Sequence, residues 1–284
     1  MAIVLGLLTA VFFGAGDFFG GLSTKRVPVI VVVGVSHLVG LIGVLILTPI
    51  LAERFGLDDF LLGVVGGLAS GAGVILLYRG LARGPMVVVA PLTAITAAAI
   101  PAFWGVANGE TFTALAWLGI AVAGAAIVLT SLPSKQATHA PITSQVVIES
   151  LAAGALFGFM FILFDSTEAD TAPWPVVGAR LLTSTALLGA LFVSGREHLR
   201  GIITDPKSGT LGMIVLTGLF DTGSNVLFLL ATARGDLTIV AVLSSLYPAF
   251  TVVLARTVLE EPITRPQLLG LSAAIAASVL IALG

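Results

Sequence analysis

Residues 28–51 read PVIVVVGVSHLVGLIGVLILTPIL. The run holds no Asp, Glu, Lys or Arg, and its one titratable side chain is His37. A helix rises about 1.5 Å per residue, so about 20 apolar residues cross roughly 30 Å of hydrocarbon. Lys25-Arg26 precede the run and Glu53-Arg54 follow it, which predicts a helix that spans a lipid bilayer and ends in water on both sides.

Working outward, apolar runs of the same kind fill the chain. Charges, Pro and Gly divide them into ten spans. The first five are Ala2 to Gly21, Pro28 to Leu51, Phe60 to Leu81, Pro85 to Ala107 and Phe112 to Leu132. The second five are Val146 to Phe164, Pro173 to Ser194, Gly209 to Ala231, Leu237 to Leu259 and Thr264 to Leu283. Short connections make most consecutive spans antiparallel neighbours. Composition agrees: 57% of residues are hydrophobic, 10% are charged, and the mean hydropathy is +1.12. A soluble chain carries about 25% charged residues, so this surface must face lipid, and lipid is the expected partner. A net charge of -2 gives no reason to expect nucleic acid, and the absence of cysteine excludes disulfides and thiolate metal sites. The N-terminal run lacks a basic segment and carries Asp17, so it reads as the first span and not as a cleaved signal.

A polar stretch, Pro133-Ser134-Lys135-Gln136-Ala137-Thr138-His139-Ala140-Pro141, divides the chain near its middle. Shifting the first half by 151 positions lays Ala82-Arg83-Gly84 on Ala233-Arg234-Gly235, Glu110 on Glu261 and Thr113 on Thr264. From Ala82 to Leu129 the match is 16 identities in 48 positions. A shift of 144 lays Phe13-Gly14 on Phe157-Gly158 and Gly34 on Gly178. The chain therefore divides into residues 1–132, a linker at 133–145, and residues 146–284. Each half has an odd number of spans, so the second must enter the membrane from the opposite side. Such inverted repeats are typical of secondary transporters, which bind substrate near the midplane between the repeats.

Leu243-Ser244-Ser245-Leu246-Tyr247-Pro248-Ala249-Phe250, followed by Glu260-Glu261-Pro262-Ile263-Thr264 and Gln267-Leu268-Leu269-Gly270, resembles the ninth-to-tenth helix signature of the drug/metabolite transporter superfamily. The type it resembles is the EamA-type ten-helix bacterial exporter. Asn108-Gly109-Glu110-Thr111-Phe112-Thr113 is the first-half counterpart. Gly14-Ala15-Gly16-Asp17-Phe18 resembles the family's first helix, where Asn is common in place of Asp17, and Arg180 matches a basic residue often seen in the seventh. The resemblance implies an all-α membrane fold, with ten helices around a central cavity lined by spans 1, 3, 4, 6, 8 and 9, and spans 5 and 10 at the periphery. It implies export of amino acids or other metabolites across the inner membrane, no cofactor, and termini in the cytoplasm.

The basic residues disagree on the last point. Lys25, Arg26, Arg79, Arg83, Lys135, Arg196, Arg200, Lys207, Arg256 and Arg265 lie in or beside odd-numbered connections, and only Arg54 and Arg234 in even ones. Cytoplasmic connections carry the excess of Lys and Arg, so both termini are expected outside.

A charge at the centre of a membrane helix costs roughly 2.5–3.5 kcal/mol on insertion scales. Asp17, Asp221 and Arg180 are such charges, and Asp165 sits at a span end. Thr217, Asp221, Ser224, Asn225 and Phe228 recur at three- and four-residue spacing and share one helix face. That stripe suggests a wet cavity for Asp221 and Asn225; the alternative, interhelical hydrogen bonding, stays open for Thr217 and Ser224. Asp17 can bind a substrate amine, exchange a proton, or pair with a nearby hydroxyl. Phe161 occupies the position that matches Asp17 in the second half. Thr93 and Thr96 match Ser244 and Tyr247, and Pro91, Pro101 and Pro248 are expected to kink their helices. Tyr78, Trp104 and Tyr247 can stack on substrate; Tyr78 and Trp104 suit interfacial anchoring equally well. The candidate substrate-binding set is thus Asp17, Tyr78, Thr93, Thr96, Trp104, Phe161, Asp221, Asn225, Phe228, Ser244 and Tyr247. Glu110 and Glu261 read as caps or salt bridges of the turns before spans 5 and 10, and His37 as a packing residue.

An exporter of small polar molecules leads, with efflux of cationic drugs behind it. A membrane-embedded enzyme would need clustered metal ligands or a nucleophile motif, and neither HExxH nor GxSxG is present. No metal site is expected. A fused inverted pair needs no partner to complete its symmetry, so a monomer is expected.

Overall fold

The computed structural model describes residues 1–83, 86–132, 143–194, 209–260 and 263–284. Most of the linker, residues 133–142, lies outside the described residues, as do Lys135, Arg196, Arg200, Lys207 and Glu261. Apolar runs bounded by charge become helices because lipid offers the backbone no hydrogen-bond partners. They are α1 (Ala2–Thr24), α2 (Val29–Leu51), α3 (Leu57–Arg83), α4 (Met86–Ala107), α5 (Ala114–Thr130), α6 (Ser144–Asp165), α7 (Trp174–Ser194), α8 (Thr210–Thr232), α9 (Leu237–Ser244), α10 (Tyr247–Val258) and α11 (Arg265–Leu283). Among the described residues eight spans are long and apolar enough to cross a membrane, with Leu237–Val258 taken as one, and Ala114–Thr130 is a shorter apolar helix. This is a multi-pass membrane protein.

The ninth span is two helices. Pro248 has no N–H to offer the Ser244 carbonyl, and its ring clashes with that carbonyl. The chain turns instead, with Leu246 N donating to Leu243 O at 3.2 Å and Ala249 N to Leu246 O at 3.0 Å. The prolines of α4 act differently: Met86–Ala107 is one helix through Pro91 and Pro101. Pro101 frees the Ala97 carbonyl, and Gly158 of α6 lies against it, close enough that a Cβ there would be 3.2 Å away.

Packing pairs helices across the two halves. α1 packs on α8, α9 and α10, while α6 packs on α3 and α4. α2 packs on α7 and α8, α3 on α7, α4 on α9, and α5 chiefly on α11. Exchanging each helix for its counterpart in the other half returns the same set of pairs. Glycines set the closest approaches. A Cβ on Gly67 of α3 would sit 2.5 Å from the Ala179 Cα of α7, and one on Gly218 of α8 would strike the Ser36 carbonyl of α2. Gly67 and Gly218 correspond under the 151 shift. Small residues let membrane helices gain van der Waals contact where no hydrophobic effect drives them together.

Polar clamps tie the ends. Arg54 pairs with Glu168 and with Asp170, the latter at 2.7 Å, and the Asp170 hydrogen bond raises the Arg54 pKa further. At the other end Glu149 of α6 pairs with Arg79 at 3.2 Å and Arg83 at 2.9 Å. The role expected of Glu110 needs correction. Its carboxylate accepts from Leu237 N at 2.8 Å, Thr238 N at 3.2 Å and the Thr238 hydroxyl, so it caps α9 and not the turn before α5. Thr113 makes the α5 cap itself, accepting from Ala116 N at 3.1 Å. The first-turn amides of α9 are unpaired donors that a carboxylate satisfies.

Candidate functional site

Three helices bring a charged or polar group to the middle of the bundle. Asp221 lies near the centre of α8, where it faces α7. Arg180 Nη2 is 2.6 Å from Asp221 Oδ2; the arginine is 3% exposed and the aspartate side chain 23%. His37 of α2 completes the set, with Arg180 Nη1 donating to its Nε2 at 3.0 Å. The other ring nitrogen, Nδ1, is 2.8 Å from Thr183 Oγ1, one turn beyond Arg180 on α7. His37 Nε2 lies 3.7 Å from Asp221 Oδ2. A guanidinium and a carboxylate in contact offset much of the cost of holding either in a membrane.

Asp17 of α1 is different. Gly16 beside it packs directly on Asp221, where a Cβ would be 3.3 Å from the Asp221 backbone nitrogen. Asp17 is within electrostatic reach of Asp221, Tyr78 and Tyr247. Yet it makes no hydrogen bond or ion pair among the described residues, and it is only half-buried. The Tyr78 hydroxyl abuts Gly20, one turn along α1. Phe13, one turn the other way, has its ring 6.1 Å from Phe161 and 6.4 Å from Tyr247. Phe161 stacks on Phe228 of α8 at 4.2 Å. A partly accessible carboxylate among aromatic rings is chemistry suited to an ammonium or another organic cation.

The structure therefore brings together Asp17, Tyr78, Phe161, Asp221, Phe228 and Tyr247 of the expected set. Asn225 lies one turn from Asp221 and donates to its carbonyl at 2.7 Å, while its own Oδ1 is buried without a partner. Four expected residues stand apart. Thr93 donates to Ser150 O at 3.2 Å and Thr96 to Leu92 O at 2.7 Å, on the seam where Gly154 of α6 meets α4. Trp104 is 50% exposed near the end of α4, as an interfacial anchor would be. Ser244 is buried at the end of α9 with its hydroxyl unpartnered. Sequence reasoning missed His37 and Thr183, and left Arg180 outside the site. The available signal for His37 was a lone polar ring in the middle of an uncharged span.

Among the described residues no three His, Cys, Asp or Glu side chains group as metal ligands. A groove of about 280 Å³ lies at the end of α2, lined in part by Thr48, Pro49, Arg54, Phe55 and Trp174. Two of its polar groups are committed, Thr48 to Val44 O at 2.8 Å and Arg54 to its two carboxylates. The groove lies away from the central charges.

A solved crystal structure covers 99% of this chain with a TM-score of 0.78, and 96% of that chain is covered at 16% identity. That likeness establishes the fold alone. An uncharacterised protein of Methanocaldococcus jannaschii is 32% identical over 133 residues, which is 46% of this chain and 96% of that one. The description of the EamA-like transporter family matches residues 1–132 and again residues 146–283. A multi-pass helical chain that matches one transporter description along nearly its whole length, in two consecutive blocks, belongs to the EamA-like transporter family.

Proposed function

We propose that this protein is a secondary transporter that exports small polar metabolites, amino acids foremost, by alternating access, with Asp17 as the counter-ion of the substrate ammonium. The observation that carries this reading is the contrast between two carboxylates. Asp221 is held by Arg180, whereas Asp17 has no partner among the described residues and keeps part of its surface open. With His37 neutral, the ionised cluster has one negative charge in excess. A substrate cation or a proton removes that excess, and in a membrane interior an unbalanced charge costs several kcal/mol. A second reading, efflux of organic cations, is favoured by the state of Arg180. The guanidinium is committed to Asp221, so the carboxylate of an amino acid has to displace Asp221 to meet it, and a simple cation need not.

The reading extends to the whole chain. Residues 1–132 and 146–284 act as inverted five-helix repeats; the exchange-symmetric packing supports this, as does a relative about the length of one half. The protein works as a monomer in an inner (plasma) membrane, with both termini outside. Proteoliposome uptake tests the core claim. Labelled amino acids and a labelled quaternary ammonium should enter saturably, and Asp17→Asn should lower uptake by about tenfold or more while the protein stays folded. Normal uptake by Asp17→Asn overturns the assignment. Chemical conversion of substrate without net movement returns the enzyme class to consideration.

A further inference from the structure

The Arg180–His37 contact fixes a proton. A guanidinium only donates hydrogen bonds, so His37 Nε2, 3.0 Å from Arg180 Nη1, must be an acceptor. The ring proton then sits on Nδ1, which donates to Thr183 Oγ1 at 2.8 Å. Thr183 is able to accept because its own hydroxyl donates to Ala179 O at 2.9 Å. The chain of donors from His37 through Thr183 to the α7 backbone is complete and leaves one lone pair aimed at Arg180. The guanidinium is thereby held from two sides, by the His37 lone pair on α2 and by Asp221 on α8. Its Nε is buried without a partner, so no other hydrogen bond among the described residues holds it.

Another carboxylate stands nearby. Asp17 is within electrostatic reach of Asp221, and its helix packs on α8 at Gly16. A guanidinium that has lost its contact with His37 is held from one side only, and the carboxylate it covers is then shielded less. We propose that His37 is a positioning residue: as the neutral Nδ1–H tautomer it pins Arg180 to Asp221, which leaves Asp17 as the carboxylate open to a cationic or ammonium-bearing substrate. This rests on the reading of Asp17 as the substrate counter-ion. Pseudo-symmetry gives no second copy of the device. The counterpart of Asp221 is Ser70 and that of Arg180 is Ser36, so the charge set belongs to one side of the molecule.

Carbodiimide labelling of the purified full chain in detergent, mapped by mass spectrometry, tests the proposal without a known substrate. The reagent attacks a carboxyl group that bears a proton, and a carboxylate held by a guanidinium is shielded from it. Asp17 should label at least about tenfold more than Asp221 in the native protein. His37→Leu removes the lone pair at similar volume, and the ratio should fall to within about threefold of unity. His37→Gln places an amide oxygen where Nε2 was, and should keep the native ratio. Thr183→Val leaves the Nδ1–H without its acceptor, which weakens the hold on that tautomer, and should shift the ratio in the same direction as His37→Leu; it decides the matter if His37→Leu fails to fold. An unchanged ratio in both His37→Leu and Thr183→Val overturns the proposal. A loss of preference in His37→Gln equal to that in His37→Leu also overturns it, because the role is then mere packing. Adding benzyltrimethylammonium separates the two readings. Protection of Asp17 by this cation supports the counter-ion role. Unprotected Asp17 alongside the expected His37 effect refutes that role and leaves the pinning of Arg180 standing.

Discussion

Asp221 and Arg180 show how one contact changes the meaning of two residues. Read singly, each is a costly mid-membrane charge with a claim to bind substrate. At 2.6 Å they are mutual counter-ions, and Asp17 is the carboxylate with no partner among the described residues. Asp221→Asn is therefore expected to act on stability. The substitution leaves Arg180, 3% exposed, without its counter-ion, and stranding a buried charge costs about 3–5 kcal/mol. Arg180→Gln strands a carboxylate that is 23% exposed and should cost less. The double variant, Arg180→Gln with Asp221→Asn, should be more stable than Asp221→Asn alone. Thermal unfolding in detergent measures this, and a double variant no more stable than that single one contradicts the pairing.

Among the elements, two devices fix where helices stand. Glu110, between α4 and α5, caps α9 through the Leu237 and Thr238 amides. Glu110→Ala removes an N-terminal cap, a loss of about 0.5–2 kcal/mol. Hydrogen exchange at Leu237 and Thr238 should quicken while that of α2 is unchanged; equal protection in both proteins contradicts the cap. The second device is close approach at glycine. Gly67→Val would force side-chain atoms against the Ala179 Cα, and overpacking of this kind costs about 1–3 kcal/mol. Gly124→Ala, which meets nothing within 4 Å, is the control and should leave the unfolding temperature close to that of the native protein. A native-like Gly67→Val protein contradicts the packing of α3 on α7.

At the scale of the molecule, charge at the two ends decides orientation. Of the two basic residues in the even connections, Arg54 stands at the end of α2 and pairs with Glu168 and Asp170. Lys25 and Arg26 lie at the opposite end, as do Arg79 and Arg83, which share Glu149 between them. The excess of Lys and Arg in the odd connections favours their retention in the cytoplasm. A reporter that fluoresces only in the cytoplasm, fused after Gly284, should therefore stay dark. Fluorescence there reverses the orientation.

The spans were legible in the sequence because lipid imposes a length and a polarity on every segment that crosses it. The run from Pro28 to Leu51 became α2, Val29–Leu51, and the other spans matched helices to within a few residues, except the ninth, which is two helices. The registers of 151 and 144 also reached the helix pairs, since Gly67 and Gly218 make matching close approaches. The site was legible only in part. Asp17 and Asp221 stood out because a charge in a membrane needs a reason. Which of them was free did not, because the answer lies in contacts between residues 41 and 143 positions apart, Arg180 to Asp221 and Arg180 to His37. Sequence periodicity reports the face of one helix and says nothing about which faces meet. Tertiary packing alone decided that an inconspicuous histidine in an uncharged span holds the arginine, and that the aspartate of α1 has no partner among the described residues.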